Sequence, residues 1–288
     1  MIPATDLLDP SFLALLARIA RRAKVDFARG SRAGGRGTLP RGGSSFREHR
    51  RYTPGDEPRT IDWNVLARLG EPFVKVFESE ETGSLGIVLD TSPSMGVGGV
   101  LEVAVRISAA LGYIVLERPG GLVGLAATDG RFEVRRGPSG VEGLLRSLSA
   151  AGPLRGGVLS SAARRLEGVR PDHGLLVTDG EPPEEVDRAL AFLPRGRTLC
   201  VQVLSLEDLD PRGEENLRVA DPEGGRVLDI PKGAAVLGRY RRLARVRAEE
   251  VEAVARRRGA SFARAFVEAP FEAAVLALLE RAGRRRRR

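Results

Sequence analysis

Cysteine is nearly absent from this sequence of 288 residues, in which Cys200 is the single example. One thiol cannot form an internal disulfide or furnish a Cys-rich zinc site, so disulfide scaffolds and zinc fingers are excluded. Cys200 lies in an apolar run between Leu199 and Val201, which predicts a buried thiol. A reducing compartment fits this pattern, and we expect the protein to be cytoplasmic.

Lysine, asparagine and glutamine are also scarce. The chain holds three lysines, two asparagines and one glutamine, and arginine makes up the rest of its 46 basic residues. A low content of labile amide side chains is typical of thermophilic proteins. An excess of arginine is also typical of a GC-rich genome, and the sequence leaves both explanations open.

Long hydrophobic runs are missing as well. No segment reaches 18 uncharged apolar residues, and the nearest one, 100–116, is interrupted by Glu102 and Arg106. The first residues lack the basic start and apolar stretch of a secretory signal. We therefore expect no membrane insertion.

The formal net charge is +8, but five consecutive arginines at 284–288 supply much of it, which leaves a nearly balanced body. Two interpretations of this run are open: a solubilising tail, or a site for nucleic acid or anionic lipid. Aromatic residues make up only 5% of the chain, and no basic platform interleaved with aromatics accompanies the tail. Nucleic acid is therefore not the partner that we expect.

Hydrophobic periodicity predicts strands that alternate with helices through most of the chain. Strands are predicted at 73–77, 85–89, 122–127, 131–134, 175–178, 199–204 and 261–266. Helices are predicted from Pro10, at 100–116, 141–148 and 159–166, through 186–193, at 234–258 and from Pro270. Buried strands in this alternation predict an α/β fold with a mostly parallel central sheet and helices on both faces.

Three parts are expected along the chain. Residues 1–78 hold the opening helix, a Gly- and Arg-rich loop and a polar signature segment, residues 79–282 form the α/β domain, and 283–288 form the Arg-rich tail. Two short apolar pieces around a Pro-Gly turn predict an inserted β-hairpin at about 207–232.

The long helix at 234–258 carries apolar residues at helical spacing among many charges. We expect Tyr240, Leu243, Val246 and Val251 to form its buried stripe and the charged residues to face solvent.

Hydroxyl and carboxylate side chains follow two of the buried strands. Asp90, Ser92 and Ser94 come directly after the strand at 85–89, and Asp179 belongs to a Thr-Asp-Gly sequence after the strand at 175–178. Sites in parallel sheets lie beyond the carboxyl ends of strands, and oxygen donors of this kind suit Mg²⁺ or Mn²⁺. The same residue types also close turns and cap helices, so either loop alone has an ordinary structural interpretation.

Together, the two loops resemble the metal-ion-dependent adhesion site of von Willebrand factor A-type domains. In that family Asp-x-Ser-x-Ser follows the first strand and Thr-Asp-Gly follows the fourth. The resemblance implies a von Willebrand factor A-like fold and a divalent ion, Mg²⁺ or Mn²⁺, held by Asp90, Ser92, Ser94 and Asp179.

The chain departs from that pattern at one ligand. The family usually adds a threonine from a Gly-Gly-Thr loop, and the matching position here is Val158, which has no donor atom. Ser160 and Ser161 are the nearby residues able to substitute for it.

The segment 46–63, Phe-Arg-Glu-His-Arg-Arg-Tyr-Thr-Pro-Gly-Asp-Glu-Pro-Arg-Thr-Ile-Asp-Trp, narrows the family. With the following Ala67-Arg68, the strand up to Glu78 and the Asp-Thr-Ser-Pro-Ser-Met loop, it resembles the bacterial domain of unknown function 58 family. That family is typically encoded beside MoxR-type AAA+ ATPases. The resemblance implies a partner or adaptor that helps such an ATPase to assemble or remodel a client protein.

The signature segment also contributes a basic strip formed by Arg47, Arg50, Arg51 and Arg59. In one interpretation these charges pair locally while Tyr52, Ile61 and Trp63 pin the segment onto the domain. In the other, the strip docks an acidic partner surface through bidentate arginine–carboxylate contacts. Trp63, the only tryptophan, is expected to be a core anchor.

Motifs for catalysis are missing. No lysine lies in a P-loop, Asp90-Thr91-Ser92 lacks the second aspartate of haloacid-dehalogenase-type phosphatases, and neither histidine accompanies a Gly-x-Ser-x-Gly elbow. We therefore predict a non-enzymatic protein-interaction module. A nucleic-acid or anionic-membrane binder that uses the Arg-rich arm and tail is the alternative, and a metal-dependent hydrolase ranks third because it lacks an obvious general base.

Overall fold

The computed structural model describes residues 6–22, 44–79, 83–180, 182–211, 217–222, 224–225, 227–230 and 234–284. Most of the Gly- and Arg-rich loop, and residues 285–288 of the arginine tail, lie outside these ranges.

The described residues form strands β1 (Ser44–Arg51), β2 (Phe73–Ser79), β3 (Ser84–Leu89), β4 (Leu122–Ala127), β5 (Phe132–Arg136), β6 (His173–Thr178), β7 (Thr198–Leu204), β8 (Leu217–Ala220), β9 (Val227–Ile230) and β10 (Ser261–Phe266). The helices are α1 (Pro10–Arg22), α2 (Trp63–Leu69), α3 (Val100–Leu116), α4 (Val141–Ser149), α5 (Leu159–Arg165), α6 (Pro183–Leu190), α7 (Leu206–Leu209), α8 (Ala234–Arg257) and α9 (Phe271–Arg284).

A six-stranded sheet forms the centre of the fold, in the order β10-β7-β6-β3-β4-β5. Every neighbouring pair is parallel except β4 and β5, which pair antiparallel across the turn at Asp129 and Gly130. All residues of β6 and β7 are buried, which is why these strands are continuous apolar runs in the sequence. The predicted α/β fold with a mostly parallel central sheet is confirmed.

Helices cover both faces of the sheet. Helices α1, α3, α4 and α9 pack on one face, and α5, α6 and α8 pack on the other. Successive residues of β3 alternate between the two layers: Ile87 approaches α3 and α4, whereas Val88 joins the cluster beneath α5, α6 and α8. Gly112 allows α3 and α4 to pack closely, because a Cβ at this position would lie 2.5 Å from a methyl carbon of Leu144 in α4.

The chain divides into two compact units, one formed by residues 27–83 and the other by residues 1–26 together with 84–288. The sequence analysis placed the opening helix in one part with the signature segment, at residues 1–78. In the structure this helix, α1, packs on α3 and α9 of the sheet unit. Arg18 and Arg22 of α1 form ion pairs of 2.6 and 2.8 Å with Glu272 of α9.

In the unit of residues 27–83, β1 and β2 pair antiparallel from Ser44–Ser79 to Arg51–Phe73, and α2 lies between them in the chain. Our sequence analysis predicted β2 but neither β1 nor α2. β1 contains mostly serine and charged residues, so the alternation of apolar and polar residues that marks a strand is missing from it.

The inserted hairpin is confirmed as β8 and β9, which pair antiparallel. Helix α8 is also confirmed, but its predicted buried stripe is wrong in part. Val251 is buried, whereas Leu243 and Val246 are 56% and 50% exposed. The helix packs on the sheet through Ala248, Val251, Val254 and Ala255 instead, since small residues allow it to approach closely.

Two further expectations concern Cys200 and membrane spans. Cys200 is fully buried in β7, and burial raises the pKa of its thiol to about 12, as expected for an inert structural residue. Among the described helices, none combines the length and the apolar content that crossing a bilayer requires.

Candidate functional site

The candidate site lies at the carboxyl ends of β3, β4 and β6, three adjacent strands of the sheet. From β3 the chain moves to β4 on one side and later returns to β6 on the other, so the strand order reverses between β3 and β6. Open α/β sheets bind ligands at such a reversal, because the loops on either side diverge and leave a crevice. Asp90 follows β3 and Asp179 follows β6, at this point of the sheet.

The carboxylate of Asp90 is buried and held at both oxygens. The backbone N–H of Ser92 donates to Oδ1 at 2.9 Å, and the hydroxyl of Thr178 donates to Oδ2 at 2.6 Å. These two bonds come from different loops, so they fix the orientation of the carboxylate relative to β6 as well as to its own turn.

Ser92 and Ser94 lie on the turn that follows Asp90, and both are partly exposed. Their hydroxyl oxygens are 3.0 Å apart, and Met95, which is fully buried, anchors the same turn. The three predicted side chains of this loop therefore share one short turn, with the hydroxyls nearer to solvent than the carboxylate.

Thr178 connects this turn to the loop that carries Asp179. Its hydroxyl donates to Asp90 and accepts from the backbone N–H of Gly180 at 2.9 Å. Gly180 has a φ of +96°, and a Cβ there would lie 2.6 Å from Val251 of α8. Only glycine fits this position without displacing the helix.

Asp179 is partly exposed, and its backbone carbonyl is held from the neighbouring strand. The side-chain amide of Gln202, in β7, donates to that carbonyl at 2.9 Å. Arg264 of β10 in turn donates through Nε to the amide oxygen of Gln202 at 3.1 Å and through a terminal nitrogen to the carbonyl of Ala248 at 3.0 Å. The loop after β6 is thus tied to β7, β10 and α8.

Thr128, the first residue after β4, is a part of the site that our sequence analysis did not name, although it follows one of the strand ends where a site was expected. Its hydroxyl oxygen accepts from the backbone N–H of Thr91 at 2.7 Å and lies 2.9 Å from the hydroxyl of Thr91, with both side chains buried. In the sequence, the signal for this residue was its position, because it is a polar residue directly after a buried strand. This pair fixes the start of the Asp90 turn against β4.

The loop expected to carry a threonine ligand lies against Thr128. A Cβ on Gly157 would lie 2.1 Å from the carbonyl oxygen of Thr128, so the two backbones are in close contact. Val158 comes next and is exposed, and it offers only aliphatic carbon. Of the two substitutes, Ser160 donates its backbone N–H to Glu185 at 3.1 Å, and Ser161 is exposed on α5.

The side chains at this edge offer the oxygen atoms that a hard cation prefers, but only two of them are carboxylates. Asp90, Ser92, Ser94 and Asp179 present only oxygen atoms, as Mg²⁺ and Mn²⁺ prefer, and these ions keep several waters when proteins bind them. Within the described residues, no three side chains of His, Cys, Asp or Glu converge to form a metal site. A cation at this edge would therefore depend on the serine hydroxyls as much as on carboxylates.

Two of the four signature arginines form ion pairs within the unit of residues 27–83. Arg50 forms a 2.7 Å ion pair with Asp56, whose side chain is buried, and this hydrogen bond is the main reason why the pKa of Asp56 is lowered to about 2. Arg51 pairs with Glu71 at 2.7 Å, and Arg59 is exposed. The side chain of Arg47 lies outside the described part of the chain.

Asp62 organises the same segment, a role that our sequence analysis did not assign to it. It caps α2 by accepting from the backbone N–H groups of Asn64 and Val65, and it lies 2.9 Å from Nε2 of His49 and 3.2 Å from Nζ of Lys75. The His49 hydrogen bond is the largest of the contacts that lower the pKa of Asp62 to about 2.

Trp63 is not a core anchor, so that expectation was wrong. The residue is the first of α2, directly after the Asp62 cap, and 65% of it is exposed. A helix of only seven residues buries one narrow stripe, and here none of its residues is fully buried.

The chain is similar to a family, and to individual relatives, whose function is unknown. The sequence model of a family described as "Protein of unknown function DUF58" matches residues 48–251. The "Uncharacterized protein Rv1480" of Mycobacterium tuberculosis strain H37Rv is 26% identical over 237 residues, which cover 78% of this chain and 75% of the relative. The "Uncharacterized protein Mb1516" of Mycobacterium bovis matches to the same extent.

Two solved structures are similar over most of their length. One is the conserved hypothetical protein BatB from Bacteroides thetaiotaomicron, with a TM-score of 0.44, 17% identity, and coverage of 72% of this chain and 100% of that chain. The other is an aerotolerance-related membrane protein from Bacteroides fragilis, with a TM-score of 0.40, 14% identity, and coverage of 70% and 99%.

Proposed function

This chain belongs to the DUF58 family of proteins of unknown function, and from that premise and the geometry between β3 and β6 we propose that it is a non-enzymatic protein-interaction module. The observation that carries the proposal is the hydrogen bond from Thr178 to Asp90, which joins the two motif loops. A buried, doubly held carboxylate beside partly exposed hydroxyls is suited to holding a ligand in one orientation rather than to transferring a proton.

The interaction proposed at this edge involves an acidic side chain of a partner protein. Asp90, Ser92, Ser94 and Asp179 would hold a Mg²⁺ or Mn²⁺ ion, which when bound supplies a positive centre with an open coordination position for that carboxylate. The chain itself contributes orientation: Thr178 and the backbone of Ser92 fix Asp90, and Gln202 fixes the carbonyl of Asp179.

A catalytic alternative finds little support around these residues. His173 begins β6 while Asp179 follows its end, so the length of the strand, about 17 Å, separates them. His49, the other histidine of the chain, is bound to Asp62 in the signature segment. His173 is therefore not placed to act as a general base at this edge, and His49 is engaged by Asp62.

We propose a MoxR-type AAA+ ATPase as the partner, with a client protein that the pair assembles or remodels. The support for this is the resemblance of the signature segment and the Asp-Thr-Ser-Pro-Ser-Met loop to the family that is typically encoded beside such ATPases. In this arrangement the ATPase hydrolyses the nucleotide, and this chain contributes recognition.

The metal part of the proposal is tested by thermal unfolding of the full chain in MgCl₂, in MnCl₂ and in EDTA. A ligand that binds only the folded state at about 100 times its dissociation constant adds about 2.7 kcal/mol, which raises Tm by several degrees. We expect this rise in the wild type and in the exposed control Asp210→Ala, and its loss in Asp90→Ala. No rise in the wild type at millimolar metal contradicts a metal-dependent site.

The partner is tested by co-purification of the tagged full chain in Mg²⁺-containing buffer. Recovery of an AAA+ ATPase with the wild type, and its loss with Ser92→Ala/Ser94→Ala, supports the proposal. If no ATPase is recovered, or if the double variant retains it fully, the adaptor role at this edge is wrong.

A further inference from the structure

The N-terminal half of helix α8 presents apolar side chains to solvent, whereas its C-terminal half packs on the sheet. We call the exposed surface the α8 outer face, and it is formed by Val236, Arg239, Arg242, Leu243 and Val246. Its aliphatic members are 40%, 56% and 50% exposed at Val236, Leu243 and Val246, although each is of a type usually found buried.

The spacing of these aliphatic residues matches a helix–helix seam. Leu243 follows Val236 by seven positions and Val246 follows Leu243 by three, the pattern of core positions in a coiled coil, and Arg239 occupies the core position between Val236 and Leu243. The residues that pack on the sheet, among them Ala248, Val251 and Val254, come after this surface along the same helix. The C-terminal half of α8 therefore has its partner within the fold, and the aliphatic residues of the N-terminal half face solvent.

Most of the charge around this surface is positive. Residues 234–248 contain five arginines and no aspartate or glutamate, and two exposed glutamates at 249 and 250 lie at the C-terminal end of the surface. Arg241 is paired with Asp210 at 2.7 Å, whereas Arg239 and Arg242 are exposed beside the aliphatic residues. Any surface that covers Leu243 and Val246 also removes these guanidinium groups from water, a cost that carboxylates on the covering surface would offset.

We propose that the α8 outer face docks an acidic amphipathic helix of a protein partner. Leucine-like residues of that helix pack between Val236, Leu243 and Val246, and its flanking glutamates or aspartates pair with Arg239 and Arg242. This surface is separate from the β3–β6 edge, and its occupant needs no metal ion.

Other occupants fit the same residues less well. Helices that lie in a membrane interface usually carry Trp, Phe or Leu on a wide apolar face, and here Arg239 lies between only three exposed aliphatic side chains. A second copy of the face packed in parallel would oppose arginine to arginine, which like-charge repulsion disfavours. Nucleic acid would pair with the arginines but would leave Leu243 and Val246 without apolar contacts.

The test uses the full chain and two fluorescent peptides of about three heptads each, with leucine at the core positions and either glutamate or lysine at the flanking ones. Binding is measured by fluorescence anisotropy at physiological salt and again at about 0.5 M salt. We expect the glutamate peptide to bind at least about tenfold more tightly than the lysine peptide, and high salt to weaken it.

Two pairs of variants locate the binding. Leu243→Ser/Val246→Ser is compared with Leu69→Ser, an exposed leucine (64%) on α2, and Arg239→Glu/Arg242→Glu is compared with Arg164→Glu/Arg195→Glu, two exposed arginines elsewhere. We expect each α8 variant to weaken binding of the glutamate peptide about tenfold or more and each control to leave it unchanged. Tm is measured for every variant, and since all substituted residues are exposed we expect it to be unchanged.

Three results overturn the proposal. The first is absence of binding of the glutamate peptide, and the second is equal binding by the α8 variants and the wild type. The third is that vesicles containing anionic phosphatidylglycerol, or duplex DNA, bind the wild type but not the α8 variants, while the glutamate peptide does not bind the wild type. That last result assigns the face to a membrane or to nucleic acid instead.

Discussion

Thr178 donates its hydroxyl hydrogen to Oδ2 of Asp90 at 2.6 Å, and this bond joins two loops that are 88 positions apart in the chain. The same hydroxyl accepts from the backbone N–H of Gly180, so a single buried oxygen orders both motif loops. The arrangement makes Thr178, rather than Asp179, the residue on which the geometry of the site depends most directly.

Replacement of Thr178 tests that dependence. Thr178→Val keeps the shape of the side chain but removes the hydroxyl, which leaves a carboxylate oxygen of Asp90 and the N–H of Gly180 without this partner in a buried site. We expect the free energy of unfolding to fall by about 1–3 kcal/mol in urea denaturation. Ser161→Ala, at an exposed position, serves as the control and should change it by less than about 0.5 kcal/mol. Equal stability of the two variants argues against an ordering role for Thr178.

The close approach of Gly157 to Thr128 predicts a strong difference between two glycines of the same loop. A Cβ on Gly157 would lie 2.1 Å from a backbone carbonyl oxygen, whereas a Cβ on Gly152 would meet nothing within 4 Å. We expect Gly157→Ala to lower the free energy of unfolding by about 1–3 kcal/mol and Gly152→Ala to leave it unchanged or slightly raised. Urea denaturation followed by circular dichroism measures both. If Gly157→Ala is as stable as Gly152→Ala, the loop does not lie against Thr128.

Acid is expected to weaken the signature segment. The folded-state pKa values of Asp56 and Asp62 are lowered to about 2 from an ordinary value of 3.8, so their ionised forms stabilise the folded state above pH 4. That stabilisation is lost as the pH falls from about 4 to about 2. The fluorescence of Trp63, the only tryptophan, reports unfolding next to Asp62.

In the wild type, the urea concentration at the midpoint of the Trp63 signal should therefore decrease when the pH is lowered from 5.5 to 3. In Asp62→Asn the midpoint should be lower at pH 5.5 and should fall less on acidification, because the group that titrates has been removed. Asp210→Asn, an exposed aspartate of the other unit, should behave like the wild type. A fall in Asp62→Asn as large as that of the wild type contradicts this assignment.

The exposure of Trp63 predicts that its side chain adds little to stability. Trp63→Ala should change the free energy of unfolding by less than about 0.5 kcal/mol, whereas Val74→Ala, at a position that is 2% exposed in β2, should cost about 1–3 kcal/mol. Circular dichroism in urea compares them, since the first variant has no tryptophan. In the wild type, acrylamide should quench Trp63 efficiently before unfolding. A large loss of stability in Trp63→Ala would show that the ring is packed after all.

Most helices and strands were predictable from the sequence because each depends on a local alternation of buried and exposed positions. The boundaries of α3, β4 and β10 match the predicted ranges residue for residue, and a helical stripe marks α3 while a continuous apolar run marks β4. β1 was not predictable, because its mostly polar residues become a strand only by pairing with β2. The family signature and the Asp90 and Asp179 loops were likewise visible as motifs.

The sequence by itself determined the class of fold, the positions of the motif loops and the burial of Cys200, because all three follow from short-range patterns of residue type. Only the tertiary structure decided the strand order, the bond between Thr178 and Asp90, and the support from Thr128, which depend on residues distant in the chain. It also decided that Trp63 and Leu243 face solvent. An apolar residue can pack against the fold or remain exposed. Which residues of a helix meet the core depends on how the surrounding elements pack, and local periodicity does not encode that packing.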